Sequence, residues 1–208
     1  KSGGKNQLYT KRNDNILFPS FFVSREMGEG NSLSLSYTQS INRPLYQMVN
    51  PFVFHLSETS YKEGNPDLKG ELLYNAGLQF MLKSKYIFSL SALFIDRKIN
   101  EIYEQIGEYQ TRYMLRNNGT TKRLTMYMGI PFTWGIWNCR NNAELSQSWY
   151  QNSANCVNDF GVVLSSYNRI RLSKQLTAIS NLRYVRHYKQ LFLIQKTDYV
   201  GVDVEGDY

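Results

Sequence analysis

Between Gly28 and Pro44, the segment GEGNSLSLSYTQSINRP alternates apolar and hydroxyl-bearing side chains over about ten residues. This two-residue period predicts an extended strand with one apolar face and one polar face. The apolar face carries Leu33, Leu35, Tyr37 and Ile41, and the polar face carries Ser32, Ser34, Ser36, Thr38 and Ser40. Such a strand covers an apolar partner with one face and meets water with the other. The partner is a second sheet, a helix or lipid.

Composition and charge narrow the class of protein. The 208 residues include 16 tyrosines and only 5 prolines, which favours strands with side chains that are apolar at one end and polar at the other. The net charge is +7, but the basic residues are scattered along the chain, so we expect no nucleic-acid partner. No run reaches the ~18 apolar residues of a membrane helix, whereas a barrel strand needs only about 9–11.

Catalytic and metal-binding patterns are weak. His55 and His187 are the two histidines, and neither has the neighbours of a nucleophile–base pair or a metal site. We therefore predict no enzyme, no cofactor and no metal. Cys139 and Cys156 lack zinc-site spacing, and a hairpin disulfide and two unpaired thiols both remain open.

The strand–turn rhythm recurs along nearly the whole chain, giving about nine strands and no helix. Short turns are predicted at Gly28–Asn31, Lys83–Lys85 and Ser173–Gln175. Long connections are predicted at Asn42–Gly70, Arg97–Thr121 and Gln147–Asn158. These lengths alternate, so all short turns would lie at one end of the sheet, as in a transmembrane β-barrel and unlike a β-sandwich. The fold class predicted is all-β, an antiparallel transmembrane barrel segment.

Two segments resemble the barrel region of outer-membrane β-barrel proteins of the TonB-dependent receptor type. They are SLSLSYTQSINRPLYQMVNPF and EGNPDLKGELLYNAGLQFMLKSKYIFSLSALF. The residues at the matching positions, to which the resemblance assigns a structural role, are Asn42, Arg43, Pro44, Asn50, Pro51, Phe52, Gly64, Asn65, Pro66, Asp67, Leu68 and Lys69. The match is specific from about Ile16 to Asp96 and looser beyond it.

The resemblance implies a barrel of about 22 strands with an N-terminal plug, located in the bacterial outer membrane. About nine strands cannot close such a barrel. We therefore expect residues 1–208 to be a part of the barrel domain, without the plug. The implied partners are outer-membrane lipid, the rest of the barrel with its plug, an inner-membrane energy-coupling protein reached through that plug, and an unidentified extracellular ligand.

Aromatic residues suggest where that ligand would bind. Tyr46, Phe54 and Tyr61 lie in the predicted long connection and are candidate ligand contacts, although packing of the loops on one another also explains them. Trp134 and Trp137 fit an aromatic girdle at the membrane interface or a buried core. The alternative to a receptor barrel is a soluble all-β module that binds glycans through exposed Tyr and Trp.

Overall fold

The computed structural model describes residues 16–153, 155–173 and 176–186, together with the backbone of 199–207. Within these residues the chain forms eleven strands and one single-turn helix, α1 (Tyr46–Val49). The strands are β1 (Ser20–Glu26), β2 (Ser32–Asn42), β3 (Val53–Ser57), β4 (Ser60–Glu63), β5 (Glu71–Leu82), β6 (Tyr86–Ile106), β7 (Gln110–Trp134), β8 (Trp137–Asn152), β9 (Cys156–Arg171), β10 (Thr177–Arg186) and β11 (Tyr199–Asp207).

Nine of the strands form one antiparallel path in the order β1-β2-β5-β6-β7-β8-β9-β10-β11. The described part of the sheet does not close, and β1 and β11 are its two ends. The all-β antiparallel class is thus confirmed, but the count of about nine omitted β3 and β4. These two strands form a hairpin inside the segment predicted as irregular, and β4 pairs in parallel with β7.

The connections differ between the two edges of the sheet. At the tight-turn edge, Met27–Asn31 joins β1 to β2, Lys83–Lys85 joins β5 to β6, and Gly135 and Ile136 join β7 to β8. The pairing of Arg171 with Thr177 places the connection between β9 and β10 at the same edge, and the predicted turn at Ser173–Gln175 includes residues 174 and 175, which lie outside the described part. The opposite edge, here called the rim edge, carries the segment 43–70 and the distal ends of the β6–β7 and β8–β9 hairpins.

Two of the long connections were wrongly predicted to be loops. Arg97–Thr121 is a hairpin in which β6 runs on to Ile106 and β7 starts at Gln110, and most of Gln147–Asn158 belongs to β8 and β9. The backbone ladder continues there while apolar alternation stops. Hydrophobic periodicity reports which side chains are buried and not which backbones are paired. It therefore cannot detect strand segments whose two faces are both exposed to water.

The apolar side chains form the exposed outer face of the sheet. Cross-strand pairing aligns them in rows, one of which contains Leu33, Phe80, Phe88, Met128, Ala143, Leu164 and Tyr184. In the next row, Leu35, Leu78 and Leu90 remain 47%, 43% and 40% exposed. The described residues form one layer, and nothing in it covers these side chains, so the sandwich alternative is wrong. The apolar side chains therefore point outward, as they do in the lipid-facing wall of a transmembrane barrel.

Candidate functional site

The inner face of the sheet carries hydroxyl, amide and guanidinium groups joined to one another. Arg123 donates from Nε to Ser148 Oγ (3.0 Å) and from Nη2 to the Tyr150 hydroxyl (3.1 Å). The Tyr127 hydroxyl donates to Asn142 Oδ1 at 2.9 Å. Partners on adjacent strands hold these side chains against the wall, which leaves a polar surface with fixed donors and acceptors.

A belt of small residues crosses the middle of this inner face. Pairing aligns one such residue from each of six strands: Ser36, Gly77, Ser91, Thr125, Ser146 and Gly161. A Cβ added at Gly77 would lie 2.8 Å from Ser36 Oγ, so a larger residue there requires the Ser36 hydroxyl to move. The belt leaves space on the inner side of the wall.

The segment 43–70 leaves the sheet after β2 and returns to it at β5. Asn42 and Glu71 are paired directly, so the wall is continuous beneath the excursion. Together with residues 97–121, this segment forms the structure that we call the rim.

Asn65 anchors the excursion. Its backbone N–H donates to the Met48 carbonyl oxygen (2.8 Å), and its Nδ2 donates to the carbonyl oxygen of Leu115 on β7 (2.8 Å). Its Oδ1 accepts from the Asp67 N–H at 3.0 Å, which is an Asx turn. One side chain therefore shapes its own loop and ties that loop to the neighbouring hairpin.

The next part of the loop is clamped by Asn117. Asn117 Oδ1 accepts from the Lys69 N–H (2.7 Å), and Asn117 Nδ2 donates to the carbonyl oxygens of Lys69 (2.8 Å) and Arg97 (2.7 Å). Leu68, at 0% exposure, is the most buried side chain of the described residues. Residues 64–69, which we call the motif loop, are therefore held by hydrogen bonds to Asn117 and by the burial of Leu68.

Other motif positions are explained by space or by exposure. A Cβ on Gly64 would lie 1.9 Å from the Asn50 carbonyl oxygen, so the loop closes only with glycine there. Asn42 Nδ2 donates to Glu71 Oε2 (2.9 Å). Arg43, Pro51 and Phe52 are exposed, Pro44 and Asn50 are half-buried, and Pro66 is exposed on the loop surface.

Glu71 is the buried charge of the rim. It is 4% exposed, and its Oε1 accepts from the Ile99 N–H (2.8 Å) and lies 3.0 Å from Lys98 Nζ. Burial alone would raise the pKa of Glu71. Hydrogen bonds from Ile99 and Asn42, with the Lys98 ammonium, outweigh burial and hold this pKa below its ordinary value of 4.5. Residue patterns did not single out Glu71, Lys98 or Asn117.

A second charged group fastens the β3–β4 hairpin. Arg112 on β7 contacts Glu63 of β4 through Nη1 (3.3 Å) and Glu104 of β6 through Nη2. Arg116 Nη2 lies 2.8 Å from Glu104 Oε1. The hydrogen bond from Arg112 lowers the pKa of Glu104, and the same bond raises the pKa of Arg112. Sequence reasoning missed this group as well.

Two hollows open on the rim. The larger, of about 660 Å³, lies against the motif loop and is lined by charges of both signs, namely Glu63, Asp67, Lys69, Arg97 and Arg116. The smaller, of about 330 Å³, lies against the hairpin and includes His55, Glu58, Tyr61 and Gln110. Both volumes fall in or near the range of small-ligand sites.

The candidate ligand contacts are placed on the rim but not in one cluster. Tyr46, on α1, is 77% exposed, and Phe54, on β3, is 68% exposed. Tyr61 is half-buried against His55, with ring centroids 6.1 Å apart. Phe54 and Tyr61 lie on opposite faces of the hairpin, because Tyr61 pairs with His55 and Phe54 with Lys62. Tyr103 and Tyr109 are further exposed rim aromatics that were not predicted.

Several remaining predictions concern single residues. Cys139 and Cys156 are free thiols, and pairing places them near opposite ends of the β8–β9 ladder. Trp134 is exposed at the tight-turn edge, whereas Trp137 is half-buried with its Nε1 donating to Asn168 Oδ1 (3.1 Å). His187 lies outside the described residues.

Two common features are absent from the described residues. No three His, Cys, Asp or Glu side chains come together there as potential metal ligands. In the same part of the chain, no helix has the length and apolarity to cross a membrane.

Comparison with known proteins identifies the family. The model of the outer membrane protein beta-barrel family matches residues 2–204. No curated protein matches the chain. A solved structure, the siderophore receptor PirA from Pseudomonas aeruginosa, is similar at 14% identity with a TM-score of 0.49. The match covers 91% of this chain and 41% of the receptor chain, so this chain spans about two-fifths of that protein. The chain belongs to the outer membrane protein beta-barrel family and is a bacterial outer-membrane protein.

Proposed function

We propose that this chain is part of the wall and outer vestibule of an outer-membrane receptor that takes up an extracellular ligand in a TonB-dependent manner. The role is non-enzymatic. In this proposal, the remaining strands and a plug complete the barrel, and an inner-membrane energy-coupling protein acts through the plug. The sheet supplies the lipid-facing wall, the polar inner lining and the rim that meets the ligand first.

The observation that carries the proposal is the combination of a two-faced wall with an ordered rim. A wall that only anchored the protein would need no bonded polar lining, whereas the Arg123 and Tyr127 groups hold donors and acceptors on the inner side. The small-residue belt supports the proposal because it leaves room for a plug or a passing solute.

The rim supports a role in recognition. Its aromatic residues Tyr46, Phe54 and Tyr61 and its two hollows offer stacking surfaces and mixed charges to a ligand from outside. The Glu71, Asn117 and Arg112 groups hold this surface in one shape. A pre-formed surface binds more tightly because less conformational freedom is lost on binding. Tyr46, Phe54 and Tyr61 are proposed as contacts on this ground.

The test uses the full-length protein in its native host. Mass spectrometry of spent medium compares the wild type, a strain lacking the gene and a strain lacking TonB. We expect the same compound to remain in the medium of both mutants. Uptake that is lost with the gene but persists without TonB would instead indicate a passive pore, and no difference in any compound would overturn the proposal.

Rim variants then test the place of recognition. Tyr46→Ala, Phe54→Ala and Tyr61→Ala, combined in one protein, should slow depletion of that compound at low concentration. Phe80→Ala, an aromatic truncation on the outer face, is the control and should leave depletion unchanged. Equal slowing by both variants would place the effect in barrel assembly rather than in recognition.

A further inference from the structure

On the tight-turn side of the sheet, the outer face of β8, β9 and β10 carries polar residues, whereas β5, β6 and β7 carry apolar residues there, such as Phe80, Phe88 and Ile130. Pairing aligns Asn141 with Ser166, and Asn168 with both Cys139 and Ser180. By the two-residue period, Asn141 shares the outer face with Ala143, and Ser166 shares it with Leu164.

These positions lie within the lipid-facing band. Asn141 stands five positions after the tight-turn residue Ile136, and Leu90, an exposed apolar residue of the band, stands five positions after Lys85. A polar side chain that faces hydrocarbon without a partner is costly, and polar groups at such positions generally have a function. The patch of Asn141, Ser166, Asn168 and Ser180 therefore calls for a partner.

Part of the patch is satisfied internally. Asn168 is buried, accepts from Trp137 Nε1 and donates to Ser166 Oγ (3.1 Å). Asn141 is exposed, and within the described residues the one hydrogen bond of its side chain runs from Nδ2 to the weak acceptor Cys139 Sγ at 3.3 Å. The Asn141 carboxamide oxygen thus has an unfilled site on the outer surface.

A depression of about 440 Å³ lies directly beside the patch, on its rim-edge side. Asn141 and Ser166 lie at its tight-turn end. Most of its lining comes from outer-face apolar side chains, namely Met128, Ile130, Ala143, Leu164, Leu182 and Tyr184. Ala143 forms the floor of the depression, because its side chain is smaller than those of its cross-strand neighbours Met128 and Leu164. In the row at the tight-turn end, Asn141 and Ser166 stand between the apolar Ile130 and Leu182, so the depression is apolar and a narrow polar patch adjoins it.

We propose that this surface binds one phospholipid of the periplasmic leaflet. The acyl chain lies in the depression, and the glycerol-ester region bonds to Asn141 and Ser166. The orientation favours this occupant, because the polar patch is on the tight-turn side, which faces the periplasm in this class of barrel. A lipid of the outer leaflet would have the opposite polarity. The depression is also continuous with the apolar face that already meets the bilayer. The inference rests on the outer-membrane location and not on the proposed uptake.

The test is native mass spectrometry of the full-length protein, delipidated and then supplied with phosphatidylethanolamine or, in a second arm, with lipopolysaccharide. We expect one phosphatidylethanolamine to stay bound under activation that strips the others. Ala143→Trp, which fills the depression, and Asn141→Leu, which removes the polar partner, should each lower its retained fraction by about tenfold. Ala92→Trp, at an outer-face alanine of β6 far from the patch, is the matched control and should have no effect.

Other outcomes overturn the inference. These are equal retention in all variants, equal loss in the Ala92→Trp control, and tight binding of lipopolysaccharide alone. A change in subunit number, rather than lipid retention, would identify the surface as a protein contact and also overturn it. Heat-modifiable migration in gels verifies that each variant has folded. Because uptake is not measured, failure here leaves the proposed transport function untouched.

Discussion

At the scale of single residues, Glu71 shows how the rim is held together. A carboxylate at 4% exposure would ordinarily be destabilising, but three donor atoms face the two oxygens of Glu71: Ile99 N, Asn42 Nδ2 and Lys98 Nζ. The lowered pKa of Glu71 shows that its charged form is favoured. The segment 43–70 is therefore fastened at its return point by a charge.

This charge makes the rim sensitive to acid. Because the pKa of Glu71 is lower in the folded rim than its ordinary 4.5, its stabilisation is complete above that value and is lost as the pH falls through the folded pKa. We expect the hydrogen-exchange protection factors of residues 42–71 in the full-length protein to fall below pH 4.5. Glu71→Gln should remove this pH dependence, whereas Asp67→Asn, at an exposed carboxylate of the same loop, should retain it.

Removing the cation should act at neutral pH. Lys98→Met leaves Glu71 buried without its ammonium partner, and the local opening free energy should fall by about 1–3 kcal/mol. Hydrogen exchange of the Ile99 amide measures this change. Lys83→Met, in a tight turn at the other edge, is the control, and an equal effect there would contradict the assignment.

Gly64 tests the closure of the motif loop. A Cβ at this position would lie 1.9 Å from the Asn50 carbonyl oxygen, so Gly64→Ala must displace the backbone. We expect faster proteolysis of the segment 43–70 in the folded barrel. Gly107→Ala is the control, since Gly107 has a positive φ of 68° but open space around it and should show only local strain at its own turn. Cleavage at the wild-type rate in Gly64→Ala would show that the loop does not close as described.

The sequence indicated part of this site and missed another part for a physical reason. The Asn-Pro-Asp-Leu-Lys loop was recognisable because Asx turns and prolines act through neighbouring residues. Glu71 and Lys98 are 27 positions apart, and they meet because the β6 register shifts between Ile95 and Lys98. Such a bulge redirects a side chain, and no local pattern reports it.

At the scale of elements, the β3–β4 hairpin is the feature that separates this rim from a set of loops. β4 pairs in parallel with β7 although Glu63 and its partner Met114 are 51 positions apart. Short parallel pairing is not self-sufficient, because parallel strands depend on surrounding packing. The contacts of Arg112 with Glu63 and Glu104 supply the missing attachment.

Loss of that attachment should release the hairpin and leave the wall intact. Arg112→Met should increase hydrogen exchange at Ser60–Glu63 without changing it in β5. Lys62→Met removes the exposed Lys62–Glu101 pair and should have little effect, since exposed pairs contribute little. Equal release by the two substitutions would indicate that Arg112 has no special role in docking.

At the scale of the whole molecule, the chain is a single layer whose cohesion comes from the strand ladder and from its surroundings. Only five apolar side chains of the described residues are buried: Leu68, Leu72, Ile95, Cys139 and Val185. A water-soluble domain of this size could not be stable with so small a core. The bilayer takes the place of the missing layer, which is why the alternation and the short turns at one edge were enough to predict the class of fold, although two of the long connections were mistaken for loops.

A pair of neighbouring substitutions tests the two faces. Leu90→Arg puts a charge on the outer face and should lower the stability of the full-length barrel in lipid by about 1–2 kcal/mol, less than the cost at the bilayer midplane because Leu90 lies nearer the tight-turn edge. Ser91→Arg, one position further along β6, points inward and should cost much less. Urea-induced unfolding in liposomes measures both, and similar losses would contradict the assignment of the faces.

Direct pairing of Asn42 with Glu71 has a consequence for how such a protein can diverge. The 28 residues between them begin and end at adjacent points of the ladder, so they can be exchanged, lengthened or shortened to a tight turn while the β2–β5 ladder keeps its register. The sequence and length of the rim can therefore change between related proteins without any change in the strand pairing of the wall that carries it.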